Sequence, residues 1–75
     1  MNKNRRKRIE DTVSSLMDLR DEIESICEEE QESFDNLPES LQSSEKGETM
    51  EYNISVLEDS YTDIDSIIDN LNELL

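Results

Sequence analysis

The sequence predicts an all-α chain, an antiparallel two-helix hairpin expected to pair into a dimeric four-helix bundle or coiled coil. Three observations lead there. Apolar residues recur at steps of three and four over two long segments. The only proline and the only glycine, Pro38 and Gly47, both lie between those segments, within the stretch 34–47. With 75 residues, 32% hydrophobic and 37% charged, two helices bury too little apolar surface to offset chain ordering easily, so a partner is expected.

The first residues are set apart by charge. Residues 1–8 hold five of the seven basic side chains and no acid, whereas 9–75 hold two basic and all 21 acidic ones, a balance of −19. Cations at a helix start oppose the macrodipole, so 1–8 is expected to be a flexible basic arm with regular helix beginning near Arg6. Such an arm suits nucleic acid, an anionic surface, or the acidic face of its own or a neighbouring subunit. No aromatic residue is interleaved and no nucleic-acid module is recognisable. Direct nucleic-acid binding is therefore not favoured, although the arm leaves it open.

Residues 9–75 read as a single hairpin domain. In helix 1, about 6–35, the residues Ile9, Val13, Leu16, Leu19, Ile23, Ile26 and Cys27 form an apolar stripe, which Met17 widens. Asp18, Asp21, Glu22, Glu24 and Glu28 fall largely on the other face. Glu30 interrupts the stripe, so packing is expected to be loosest there, with Phe34 and Leu37 closing the end of the core. The connector, about 36–43, follows from Pro38, which disfavours helix at Leu37 and suits the first turn of a new one. Ser40, Ser43 and Ser44 offer capping hydroxyls.

Helix 2, about 44–74, is the more regular. Met50, Ile54, Leu57, Tyr61, Ile64, Ile68, Leu71 and Leu75 step by four and three without a break. Ile67 and Leu74 add a second column, while Val56 lies off the seam, either exposed or against a further chain. Glu48, Glu51, Glu58, Asp59, Asp63, Asp65, Asp69 and Glu73 are assigned to the outer face, with Lys46 the only cation after Arg20. Few opposite-charge pairs can form on such a surface. Apolar burial has to hold the helices together against repulsion, and added salt should stabilise them.

The chemistry of the residues argues against an enzyme. There is no His to act as a base, and the single thiol, Cys27, sits on the apolar stripe beside Glu28, Glu29 and Glu30, which raise its pKa. One cysteine allows no internal disulfide and fits a reducing, cytoplasmic setting. Asp63, Asp65 and Asp69 lack the turn glycine and closing acid of a calcium loop and lie within the best helical pattern. No metal, no cofactor and no catalytic residue is assigned. No apolar run reaches membrane-spanning length, so no membrane partner is expected.

Acidity has its own reading. Spread along a rod of about 45 Å, 21 carboxylates amount to roughly one per 2 Å, near the charge spacing of duplex DNA at about 1.7 Å. A DNA-mimic that occupies a nucleic-acid site is thus one alternative, and a structural or regulatory subunit of a homo-oligomer is another.

The run Glu29-Glu30-Gln31-Glu32-Ser33-Phe34-Asp35-Asn36-Leu37-Pro38-Glu39-Ser40-Leu41-Gln42-Ser43-Ser44-Glu45-Lys46-Gly47-Glu48, followed by Met50-Glu51 and Asn53, resembles the centre of small acidic accessory proteins of tailed bacteriophages and their prophages. The likeness covers about the middle third of the chain. It implies a phage-type protein that binds and inhibits or regulates a host protein, such as an antiviral defence component, in the bacterial cytoplasm. It brings no catalytic residue. The candidate partner contacts are Phe34, Leu37, Leu41 and Gln42 of the connector and Glu58, Asp59, Asp63 and Asp65 of the acidic face, with the protein itself expected to be a homodimer.

Overall fold

The computed structural model describes residues 1–75 and is all helical, without strands. Its elements are α1 (Lys3–Asp35), α2 (Glu39–Gln42) and α3 (Glu45–Asn72). Helix α1 starts earlier than the charge pattern suggested. Asn2 accepts the Arg5 backbone N–H on its side-chain oxygen at 2.8 Å, and Lys7 pairs with Asp11 one turn on at 2.8 Å. A satisfied N-terminal donor and a neutralised cation offset the unfavourable dipole, so the basic residues Lys3 to Arg8 form the first turns of α1.

The connector is built from short-range bonds. Asn36 donates its N–H to the Glu32 carbonyl at 3.0 Å, Leu37 to that of Phe34 at 3.0 Å, and Pro38 then caps the single turn of α2. Gln42 donates from Nε2 to the Phe34 and Leu37 carbonyls, each at 3.2 Å, and so ties α2 back to the end of α1. Of the three connector serines, Ser44 is the one that caps α3. Its hydroxyl oxygen accepts the Gly47 N–H at 3.5 Å and donates to the Leu41 carbonyl. Gly47 is buried, and a Cβ there would overlap the Gln42 carbonyl; the glycine is required by close approach of α2 to α3.

Helices α1 and α3 touch through pairs whose numbers run in opposite senses. Arg20 meets Asp65, Cys27 meets Ile54, and Glu30 meets Asn53. The longest dimension is 58 Å. A helix of the length of α1 spans about 50 Å by itself, and the two laid end to end would approach roughly 90 Å, so α3 lies alongside α1.

Between them runs a line of apolar side chains, not a volume. Val13, Ile54 and Ile68 are the buried ones. Ile9, Leu16, Ile23, Phe34, Leu37, Met50, Leu57, Tyr61, Ile64 and Leu71 are half-buried. Three positions of the expected packing pattern lie outside the contact: Leu19 is 58% exposed, Leu75 is exposed beyond the end of α3, and Ile26 is exposed because its neighbour Cys27 takes the inward position. Adjacent helical residues are about 100° apart, and a single neighbouring helix cannot cover both. Glu30, expected as a packing defect, is half-buried and accepts a hydrogen bond from Asn53 Nδ2 at 3.0 Å. A partnered carboxylate is tolerated where an orphan would not be.

Gly47→Ala tests the close approach at the connector. The added methyl must displace α2 or the start of α3, and urea denaturation should show a stability loss of about 1–3 kcal/mol, whereas the same change at an unhindered helical glycine would stabilise.

Candidate functional site

One edge of α1 presents Glu24, Cys27, Glu28, Gln31, Glu32 and Asp35, residues that recur at steps of three, one and three. Against them α3 presents Glu58, Tyr61 and Thr62, and together they line a groove of about 560 Å³. Cys27 and Tyr61 form its apolar floor, and five carboxylates stand around it with no lysine or arginine among the lining residues. The groove is hydrophobic at its base and strongly negative at its rim.

Arg20 anchors one end of the groove. Its guanidinium Nη1 donates to Asp65 Oδ1 at 2.8 Å, a second nitrogen reaches Asp21 at 3.4 Å, and the group lies 5.8 Å from the centre of the Tyr61 ring. Only 17% of the Arg20 side chain is exposed. The bond to Asp65 holds its pKa above the usual arginine value, so it stays charged throughout. Because Asp65 is 45% exposed, solvent screens the pair, and its larger effect is to fix the rotation of α3 against α1.

Burial pushes the Cys27 thiol up from its ordinary 9.0, helped by Glu58, Glu28 and Glu24, and its Sγ lies 3.9 Å from the Ile54 carbonyl. Burial also raises Tyr61, helped by Glu24. A protonated thiol against acidic neighbours is a poor nucleophile. No three His, Cys, Asp or Glu side chains converge in a way that would hold a metal ion.

The structure distributes the candidate contacts among different roles. Phe34 and Leu37 are half-buried at the end of α1, and Gln42 spends its amide on their carbonyls. Leu41 is exposed. Glu58 lines the groove, while Asp59 and Asp63 are exposed outside it. Asp65 is not on the outer face; it is half-buried and turned to Arg20. The sequence reading missed Arg20, whose lone positive charge amid the acids was the available signal. It also missed that Glu24, Glu28, Glu32 and Asp35 border one groove, although their near fourfold spacing was visible.

A second surface carries exposed apolar residues: Leu19 and Ile26 on α1, Val56 and Ile67 on α3, and Leu74 in the turn that follows it. No helix is long and apolar enough to cross a membrane. Comparison with known proteins finds no matching family model, curated protein or solved structure.

Both raised groups favour their neutral forms when folded, so in rising pH the unfolded chain loses these protons first. Their contribution is complete below about pH 9 and is lost as pH climbs through the folded values. Thermal unfolding should therefore show a midpoint that falls as pH rises through and beyond the ordinary thiol and phenol values of 9.0 and 10.0, and the combined Cys27→Ser and Tyr61→Phe variant should lose much of that fall.

Proposed function

We propose that this chain is a protein-binding module and not an enzyme: a helical hairpin with α1 and α3 as its antiparallel arms, working as a homodimer that binds and inhibits or regulates a host protein. The observation that carries this reading is the groove between α1 and α3, with an apolar floor and five uncompensated carboxylates. A surface of that kind favours a partner segment that is both basic and apolar. The likeness of the connector to phage accessory proteins supports a bacterial cytoplasmic setting and a host target such as a defence component. Phe34 and Leu37 then plug the end of the hairpin, and exposed Leu41 is the connector residue free to touch the partner.

A DNA-mimic would need its charge on an open, phosphate-like surface. Asp65 is engaged by Arg20, and the groove acids surround apolar side chains, which favours a peptide-like occupant over a nucleic-acid site.

Affinity capture from host cells with mass spectrometry tests this. The expected result is one predominant partner, retained by an Asp59→Lys and Asp63→Lys variant and weakened about 100-fold by combined Glu28→Lys and Glu58→Lys substitution. Capture of several unrelated DNA-binding proteins, lost steeply with added salt and on reversal at Asp59 and Asp63, would replace this reading with mimicry.

A further inference from the structure

Leu19 is among the most exposed large apolar side chains of the molecule, and it stands at the middle of a strip of α1 with mirror-like spacing. Seven residues before it is Thr12 and seven after it is Ile26. Eleven before it is Arg8 and eleven after it is Glu30. Steps of seven and eleven keep all of these on one face of a helix. The two ends of the strip are hollows of similar size and opposite character. One, of about 280 Å³, is lined by Met1, Arg5, Arg8, Ile9 and Thr12; the other, of about 240 Å³, by Ile26, Glu29, Glu30, Ser33 and Leu57.

We infer that this face, not the acidic groove, is where a second copy of the chain docks, antiparallel and about a two-fold axis that passes by Leu19. The inference rests on the homodimer reading and names its surface. A two-fold contact must be complementary to itself, and opposite charges placed at equal distances either side of an apolar centre meet that condition. The axis sets Leu19 against Leu19 of the other copy, Thr12 against Ile26, and Arg8 against Glu30. Neither Arg5 nor Arg8 has an acidic partner in its own chain, whose ion pairs involve only Lys7 and Arg20. Arg8 and Glu30 are about 33 Å apart along a continuous α1, so these two charges can meet only between two molecules.

Helix α3 gives an independent check on the register. Arg20 meets Asp65, so the level of Leu19 on α1 corresponds to Asp65 or Ser66 on α3. Leu57 lines the acidic hollow, which identifies the edge of α3 bordering the strip, and Glu58 on the other edge lines the groove. An axis at that level places Ile64 against Ile67 of the second copy, both apolar, with Ile67 exposed in the single chain. Val56, off the internal seam, falls within the same contact. The groove stays open in such a dimer and remains available to a different partner.

Sedimentation equilibrium of the full chain, with far-ultraviolet circular dichroism as a control for folding, tests the surface. Wild type should be a dimer, and Leu19→Glu, which sets two carboxylates against each other at the axis, should raise its dissociation constant at least about 100-fold with helix content retained. Should Leu19→Glu disturb folding, cross-linking decides. In a Cys27→Ser background, Arg8→Cys and Glu30→Cys chains mixed and oxidised should give the mixed disulfide in preference to either self-pair. A wild-type monomer at millimolar concentration would overturn both this inference and the homodimer reading. A dimer indifferent to Leu19→Glu, or one linking Arg8→Cys chains to each other, would overturn this face alone.

Discussion

A narrow apolar seam has to hold α1 against α3 while the chain carries a net charge of −14. Val13, Ile54 and Ile68 are the buried apolar side chains of that seam, and Arg20 with Asp65 is the only ion pair that joins the helices. Burying a Val or Ile side chain contributes about 1.5–3 kcal/mol, so three such residues with their half-buried neighbours give a contact of modest strength. The remaining carboxylates repel one another at low salt and face water because the contact is too narrow to take them in.

The seam also divides the outside of the molecule into unlike faces. On one side the carboxylates border the groove floored by Cys27 and Tyr61. On the other Leu19, Ile26, Val56, Ile67 and Leu74 are uncovered, with Glu29 and Glu30 at one end. A two-helix contact leaves two flanks by construction, and here the flanks differ in chemistry, which allows one molecule to present separate surfaces to separate partners. The connector is not an idle turn between them. Gln42 and Ser44 bond to the carbonyls of Phe34, Leu37 and Leu41, and Gly47 lets α3 start close against α2.

Much of this could be read before the structure. The uninterrupted three-and-four spacing from Met50 to Leu71 marks α3, and Pro38 with the flanking serines marks the break, because these signals are local. The start of α1 was less visible: the run of cations argued for a late start, and the cap in which Asn2 accepts the Arg5 N–H, with the Lys7–Asp11 pair, outweighed it. Leu19 and Ile26 were assigned inward because periodicity reports the width of an apolar stripe and not the width of what covers it. Asp65 was assigned outward for a related reason, since its partner lies 45 residues away and no local pattern links the two. The groove escaped notice because it exists only where two edges meet, each of which reads as an ordinary acidic face.

The packing of α3 back along α1 is tested most directly by a distance across the seam. Nitroxide labels at Ser14→Cys and Asn70→Cys in a Cys27→Ser chain, diluted with unlabelled protein, can be measured by double electron–electron resonance. Adjacent helices with axes about 8–10 Å apart should give one narrow distribution near roughly 20 Å once label length is included. A continuous rod would place the labels about 84 Å apart, and that distance, or a broad spread without a short peak, would contradict the contact on which everything above depends.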